Sequence, residues 1–113
     1  MSKNCCLILT LLASSLITTA QTDRLTPEKL WELGRVALDD VSPDGQSVLY
    51  GVTFYDLAAN KGNRDLYYVP VAGGQSRKIT AFDGSESDAA YRPDGKKIGF
   101  LRGGKLWEMN PDG

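Results

Sequence analysis

Two copies of a Pro-Asp-Gly turn constrain the fold of this 113-residue chain more than any other feature. Ser42-Pro43-Asp44-Gly45 and Arg92-Pro93-Asp94-Gly95 lie 50 residues apart, and an alternating apolar run follows each of them. Proline presets φ for a type I turn, aspartate bonds to its own backbone, and glycine takes the left-handed position that follows. Six residues are therefore predicted to be structural turn residues of two hairpins: Pro43, Asp44, Gly45, Pro93, Asp94 and Gly95.

A second repeat has a shorter shift and predicts the size of the repeating unit. Residues 65–73 align with residues 105–113 at a shift of 40. The turns are shifted by 50 residues and this second repeat by 40. The ten-residue difference predicts an insertion within residues 54–64 of the first unit, with a loop-like tip at residues 60–63. A unit of about 40 residues with three or four short strands is typical of one blade of a β-propeller.

Alternation of apolar residues predicts seven strands, at 36–41, 47–54, 66–71, 77–80, 87–91, 97–101 and 105–109. Apolar side chains occur on both faces of the inner strands, as expected for sheets that are covered on both sides. Pro70 lacks an N–H and is expected only at an edge or a bulge. The predicted fold class is all-β: a partial β-propeller over residues 36–113, with two four-stranded antiparallel blades of which the second is incomplete.

Residues 1–20 have the pattern of a secretory signal peptide. One lysine precedes an uncharged apolar run, and Thr18 and Ala20 supply the small residues for a cut before Gln21. An uncleaved anchor is the alternative, but about 15 apolar residues fall short of the ~20 that a span needs. Cys5 and Cys6 precede the apolar core, which argues against a lipoprotein, and the cleaved chain has no cysteine for a disulfide. We expect a periplasmic or secreted protein without membrane contact after cleavage.

Residues 21–35 are predicted to form a linker and a short helix. Thr26 can cap a helix that begins at Pro27 and ends before Gly34. Its apolar face consists of Leu30, Trp31 and Leu33. This face could dock a partner domain, but a cover over an exposed strand edge is favoured because isolated edges need protection.

The composition excludes several kinds of chemistry. The sequence contains no histidine, so it can carry neither a Ser-His-Asp triad nor a histidine-ligated zinc site. It has no Gly-x-Ser-x-Gly, no glycine-rich phosphate loop and no Cys-x-x-Cys. We therefore predict no catalytic, cofactor-binding or metal-binding residue. The net charge of −1, with both signs scattered, gives no indication of nucleic acid as a partner.

Two acidic segments could supply oxygen ligands to a cation. Residues 83–88 alternate oxygen-bearing side chains as a calcium loop does, but the glycine at position six is missing and Asp94 replaces the glutamate at position twelve. Asp39 and Asp40 are a possible ligand pair next to Ser42-Pro43. A turn is the favoured role for both segments.

The second unit resembles a known propeller repeat. The resemblance rests on Ile79-Thr80, Asp83-Gly84 and Asp88-Ala89-Ala90-Tyr91-Arg92-Pro93-Asp94-Gly95-Lys96-Lys97-Ile98-Gly99-Phe100. This pattern is similar to the repeat of the bacterial Tol-system propeller protein and of the N-terminal propellers of prolyl-oligopeptidase-family serine peptidases. Those repeats carry Trp-Ser before Pro-Asp-Gly, where this chain has Tyr91-Arg92 and Val41-Ser42.

The segment before the first blade resembles one branch of that peptidase family. Leu25-Thr26-Pro27-Glu28-Lys29-Leu30-Trp31-Glu32-Leu33-Gly34-Arg35-Val36 is similar to the opening of secreted, acylaminoacyl-peptidase-like members. The resemblance implies a propeller that caps a downstream α/β-hydrolase domain and restricts entry to short, unfolded peptides. Its implied partners are that domain and a peptide substrate, with a catalytic triad beyond Gly113.

Two other functions stay open at this point. A Tol-type periplasmic propeller would share the turns, lack a catalytic domain and act as a protein-binding module. A stand-alone propeller that binds a small ligand or glycan has no positive sign in the sequence. The reading frame after Gly113 distinguishes the peptidase from the binding module.

Overall fold

The computed structural model describes residues 24–113, which are mostly β-sheet with little helix. The predicted signal peptide, its cut before Gln21 and both cysteines lie outside the described residues. The one described helix is α1 (Pro27–Glu32), and no described helix is long and apolar enough to cross a membrane. The first sheet is antiparallel and has the order β1 (Arg35–Val41), β2 (Ser47–Asp56), β3 (Lys61–Pro70) and β4 (Arg77–Lys78). The second has the order β5 (Glu86–Tyr91), β6 (Ile98–Arg102) and β7 (Lys105–Met109).

The ten-residue insertion lengthens a hairpin instead of forming a loop. β2 and β3 pair without interruption from Ser47 opposite Pro70 to Asp56 opposite Lys61. The hairpin closes through residues 57–60, where Asn60 adopts a φ of 50°. The predicted loop tip at residues 60–63 is therefore wrong for all but Asn60. Backbone hydrogen bonds continue a ladder without needing apolar side chains, so the polar sequence gave no sign of this extension.

α1 is capped as the sequence predicts and ends before Gly34, but Leu33 lies outside it. The hydroxyl of Thr26 accepts a hydrogen bond from the N–H of Lys29 at 3.2 Å. The helix ends at Glu32 and its C-cap is Leu33, which is already extended, so Leu33 is not part of the predicted helical face. Gly34 is needed for close approach, because a Cβ there would lie 2.8 Å from the ring of Phe54. Within the described chain α1 packs against β2 and leaves the edge of β1 uncovered.

The two Pro-Asp-Gly turns have the same backbone geometry. Gly45 and Gly95 adopt φ values of 70° and 71°, in the left-handed region that favours glycine. Each glycine N–H donates to the carbonyl three residues earlier, on Ser42 at 2.8 Å and on Arg92 at 2.7 Å. The turns therefore differ in side chains but not in main-chain conformation.

Two further features recur in both sheets. Each first hairpin contains a bulge, between Leu38 and Asp40 in β1 and between Ser87 and Ala90 in β5. The turns that follow β3 and β7 also match, since the N–H of Gly73 donates to the carbonyl at 70 and that of Gly113 to the carbonyl at 110. The sheets thus share turns and bulges at the shifts of 50 and 40 residues seen in the sequence.

Pro70 lies in an inner strand, not at an edge strand or a bulge. It is the last residue of β3, and the N–H of Val71 donates to the carbonyl of Gln46 on the β2 side. Successive residues of a strand bond to opposite sides, so the Pro70 nitrogen faces β4. β4 pairs only as far as Arg77 opposite Tyr68, so within the described residues Pro70 interrupts no ladder bond.

The core lies between the two sheets. Leu49 and Leu66 of the first sheet are fully buried against the second sheet, and Ile79 and Met109 complete the cluster. The second sheet contributes Ala89, Tyr91, Ile98 and Phe100. These inward surfaces are called the packed faces of the two sheets.

Equivalent residues of the two sheets lie on opposite sides of this core. Leu66 is 0% exposed, whereas its equivalent Leu106 is 77% exposed. Tyr91 is 9% exposed, whereas its equivalent Val41 is 45% exposed. The first sheet thus buries the face that the second sheet leaves exposed. We call this arrangement head-to-tail stacking, because one face of the first sheet contacts the opposite face of the second.

The two outward surfaces are called the free faces. Strand register assigns these residues to the free face of the first sheet: Val36, Leu38, Val41, Tyr50 and Tyr67. Register likewise assigns these residues to the free face of the second sheet: Ala90, Leu101 and Leu106.

Candidate functional site

The Pro-Asp-Gly turns are held by their own aspartates. Asp44 accepts hydrogen bonds from the Ser42 hydroxyl and from the N–H of Gln46, and these bonds lower the pKa of its carboxyl group. Asp94 is held by the guanidinium of Arg92 and by the N–H of Lys96, which lower its pKa in the same way. Both carboxylates therefore serve as hydrogen-bond acceptors within their own turns.

A cleft of about 650 Å³ lies where the two turns meet. Its lining residues are Ser42, Pro43, Asp44, Ser47, Tyr68, Gln75, Arg77, Tyr91, Asp94, Gly95, Pro111 and Asp112. Ser42 donates to Asp44, whose lowered pKa makes it a poor general base. The hydroxyls of Ser47 and Tyr91 lie 3.2 Å apart and bridge the two sheets. The cleft therefore has polar groups suited to binding, but no activated nucleophile among its lining residues.

Arg64 forms the centre of a polar junction between the sheets. Its guanidinium contacts the Asp39 carboxylate at 2.7 Å and donates to the carbonyl of Glu86 at 2.9 Å. The guanidinium lies over Gly51, where any Cβ would collide with it. The sequence offered no sign of this role, because Arg64 follows a polar segment and its partners are distant in the chain.

The predicted turn at Asp39-Asp40 is wrong, because both residues lie in β1 at its bulge. The extra residue of a bulge re-aims neighbouring side chains. Asp39 therefore pairs with Arg64, whereas Asp40 accepts from the N–H of Tyr91 at 2.8 Å. The two carboxylates hold different parts of the sheet interface and do not form a ligand pair.

Glu86 is a fully buried carboxyl group in the same junction. It accepts a hydrogen bond from the Thr80 hydroxyl at 2.8 Å, and Thr80 in turn accepts from the N–H of Leu66. Its other oxygen lies 3.8 Å from Nε of Arg102, and neither atom has a hydrogen-bond partner among the described residues. Burial is the main cause that raises the pKa of Glu86, and the Thr80 bond opposes it.

The acidic segment 83–88 does not converge on a cation position. Ser85 accepts from the N–H of Arg64, Glu86 begins β5, and Ser87 bonds to Asp88. The favoured turn therefore holds only for the exposed start of the segment. Residues 24–113 contain no group of three or more His, Cys, Asp or Glu side chains that could hold a metal ion.

Aromatic and arginine side chains surround the other end of the first sheet. Arg35 stacks on Trp31 of α1 at 4.5 Å and on Tyr55 of the long hairpin at 4.8 Å. These contacts fasten α1 to the hairpin, since α1 has no buried residue of its own. A second cleft, of about 470 Å³, lies beside the hairpin and includes Phe54 and Phe82 in its lining.

The chain is similar over most of its length to two curated peptidases. It is 38% identical over 79 residues to Dipeptidyl-peptidase 5 of Porphyromonas gingivalis, and 32% identical over 85 residues to Dipeptidyl-peptidase 5 of Porphyromonas endodontalis. The matches cover 70% and 74% of this chain. In each case the matched region is 12% of the relative's own length. No protein-family model matches the chain.

Proposed function

We propose that this chain is the N-terminal β-propeller portion of a secreted serine peptidase of the prolyl oligopeptidase type. The observation that carries the proposal is the 38% identity to a relative named as a dipeptidyl-peptidase. The matched region is a small part of that relative, which leaves room for a separate catalytic domain in a longer polypeptide.

The head-to-tail stacking supports a propeller. Two stacked sheets that bury opposite faces leave one apolar face open at each end, so the same contact can be repeated. Repeating it around an axis gives a ring of blades, which is the architecture of a propeller. In a longer polypeptide the free faces of both sheets would be covered by further blades.

The proposed role of the chain is to gate access, not to cut. Without a histidine it cannot supply a Ser-His-Asp triad, and no described group activates a nucleophile. The triad would belong to a downstream α/β-hydrolase domain, and the propeller would admit peptides and exclude folded proteins. Residues 1–20 would direct the protein to the periplasm or the medium.

The test uses the complete reading frame that contains these 113 residues. We expect its product to react with a fluorophosphonate and to release dipeptides from peptides with a free amino terminus. Peptides with an acylated amino terminus are the matched comparison, because an acylaminoacyl-peptidase would prefer them. A product that never labels, and whose further sequence holds only Pro-Asp-Gly blades, would instead be a Tol-type binding module.

Residues 1–113 alone provide the negative arm of the same test. We expect this span to hydrolyse neither kind of peptide and to remain unlabelled. Hydrolysis by the span would refute the assignment of catalysis to a downstream domain, without bearing on the kinship to peptidases.

A further inference from the structure

The long hairpin of the first sheet extends beyond the level at which the second sheet ends. In the second sheet, the last pair before the hairpin turn is Arg102 opposite Lys105. The shifts of 50 and 40 residues make Val52 and Asp65 their equivalents, and these two residues are partners in the ladder of β2 and β3. The four further pairs of that ladder lengthen the hairpin by about 13 Å. We call residues 53–64 the projection.

The projection lies at the end of the sheets where the chain enters each of them. β1 and β5 both begin at this end, opposite the second half of β2 and the last residue of β6. Residues 79–85, which link the sheets, return to the projection, because the Ser85 hydroxyl accepts from the N–H of Arg64. The Pro-Asp-Gly turns meet at the opposite end, where a Cβ on Gly95 would lie 3.9 Å from the ring of Pro43. We call the two ends the hairpin end and the turn end.

The number of strands in a sheet fixes the end at which the chain leaves it. Four antiparallel strands run in alternating directions, so the chain leaves a four-stranded sheet at the end where it entered. In the first sheet the chain enters β1 and leaves β4 at the hairpin end. Every further four-stranded blade would return the chain to that end. A domain that follows the last blade is therefore attached at the hairpin end, beside α1 and the projection.

The hairpin end carries apolar side chains beyond the height of a blade. Phe54 and Leu57 of the projection are 50% and 53% exposed, and they lie past the level at which the second sheet ends. α1 adds the exposed Leu30, and its Trp31 packs edge-on against Tyr55 with the ring centroids 5.2 Å apart. Exposed apolar groups that are held in place by such contacts mark an interaction site.

The charges around these apolar groups do not select a charged partner. The Asp56 carboxylate accepts from the N–H of Ala59 within the tip, and the Arg35 guanidinium stacks on Trp31 and Tyr55. Both signs are present in nearly equal number. Outside the polar junction, the charged side chains of α1, the projection and the nearby strand ends are Arg24, Glu28, Lys29, Glu32, Arg35, Asp56, Lys61, Asp83 and Lys105. The surface therefore suits a partner that contributes apolar groups.

We propose that the projection and α1 form the surface on which the domain that follows the propeller docks. This proposal rests on the proposed function, which assigns a further domain to the same polypeptide. The matched region is 12% of each relative's length, which leaves room for that domain. Strand number attaches the domain at the hairpin end, and the apolar groups there lie beyond the reach of further blades. The turn end, with its polar cleft, faces away from the domain.

Thiol labelling at two alanines tests the docking in the product of the complete reading frame. Ala59→Cys lies at the tip of the projection, and Ala72→Cys lies at the turn end, on the turn that follows β3. Both alanines are exposed in the described chain, so a difference between them must come from other parts of the polypeptide. We expect position 59 to react more slowly than position 72 by about tenfold or more, because docking covers the tip.

Each labelling rate is read by peptide mass spectrometry at the substituted position, so cysteines elsewhere do not interfere. It is divided by the rate of the same variant in denaturant, which removes differences in intrinsic reactivity. Equal normalised rates at positions 59 and 72, or a faster rate at 59, would overturn the docking.

Lysine cross-linking identifies the group that covers the tip. Lys61 at the start of β3 and Lys96 after the second Pro-Asp-Gly turn are both exposed, and they lie at opposite ends of the sheets. We expect Lys61 to form cross-links to the α/β-hydrolase domain and Lys96 to form none. A mixture of isotopically light and heavy protein separates links within one polypeptide from links between two copies.

The remaining outcomes separate this proposal from the proposed function. Links of Lys61 only to further blades or to a second copy, or links of Lys96 to the hydrolase domain, would overturn the docking. Fluorophosphonate labelling is measured on the same samples. Protein that reacts with the fluorophosphonate, yet labels equally at both cysteines, would retain the peptidase assignment and refute the docking. A reading frame that holds only further blades would refute both.

Discussion

The first and second sheets have the same turns and bulges but bury opposite faces. The backbone frame is fixed locally, by Pro-Asp-Gly and by the bulge that precedes it. Which face is buried is decided by the neighbour, so Leu66 is in the core while its equivalent Leu106 is exposed. The repeat therefore specifies each sheet, and the stacking order specifies which of its faces is buried.

The sheets also differ in the residues that specify their junction. Asp40 accepts from the N–H of Tyr91 and Arg64 donates to the carbonyl of Glu86, so both bind the second sheet, whereas Asp39 holds Arg64 within the first sheet. The equivalent positions of the second sheet hold Ala90, Gly104 and Ala89. The polar contacts are therefore particular to this junction. An apolar contact can form with many partners, whereas the hydrogen bonds that Arg64 and Asp40 make to the second sheet are lost in any wrong pairing. We infer that these three residues fix which sheet stacks on the first.

The largest expected effect comes from one substitution at two equivalent leucines. Leu66→Ala removes a fully buried side chain and should lower the free energy of unfolding by about 2–5 kcal/mol. Leu106→Ala changes an exposed side chain and should stay within about 0.5 kcal/mol of the unmodified chain. Urea unfolding followed by tryptophan fluorescence measures both. Equal losses would mean that the sheets do not bury opposite faces.

The second-largest expected effect is a loss of stability when an arginine that pairs with a buried aspartate is removed. A second arginine, which pairs with an exposed aspartate, serves for comparison. Arg64→Ala leaves the buried Asp39 carboxylate without its partner and should cost about 1.5–3 kcal/mol. Arg92→Ala breaks an exposed pair with Asp94 and should cost no more than about 1 kcal/mol. The same urea titration separates them. A cost for Arg92→Ala that matches the cost for Arg64→Ala would refute the polar junction as a specific feature.

The turn glycines should respond alike, because their backbones are alike. Valine at Gly45 or Gly95 must adopt a left-handed φ, which costs about 1–2 kcal/mol. Neither position is crowded, so the loss comes from backbone strain in both sheets. Thermal unfolding of Gly45→Val and Gly95→Val should show similar decreases. Full tolerance at both sites would contradict the turn geometry.

The smallest expected effect is a fall in stability with rising pH that comes from the buried carboxyl group of Glu86 in the junction. Burial raises the pKa of Glu86 above its ordinary value of 4.5, so the folded chain holds this proton more tightly than the unfolded chain. The free energy of unfolding should therefore fall as pH rises from 4.5 toward the raised pKa. Glu86→Gln should remove this fall, whereas Glu108→Gln, on an exposed side chain, should keep it.

The sequence alone predicts the strands and turns because their signals are local. The alternation of apolar residues and the Pro-Asp-Gly turns predict all seven strands near their observed positions. Thr26 predicts the start of α1. The long hairpin was missed because Lys61, Gly62 and Asn63 extend the ladder by backbone bonds alone.

The polar junction could not be predicted, because it depends on contacts between distant parts of the chain. Arg64 meets Asp39 across β2, and Glu86, at the start of β5, is buried where its sheet packs against the first sheet. No local pattern distinguishes Glu86 from the exposed acidic residues around it. The similarity to peptidases was indicated by the resemblance of short segments, not by any catalytic group in the chain.

Thiol labelling tests the head-to-tail stacking most directly. Single cysteines would replace Leu66, Leu106, Tyr91 and Val41 in a chain whose Cys5 and Cys6 are changed to serine. Labelling is measured at a dilution where chains do not associate. We predict fast labelling at 106 and 41, and labelling at 66 and 91 that is slower by at least tenfold, because only the latter pair is buried. Equal protection at 66 and 106 would mean that both sheets bury the same face, and would contradict the stacking.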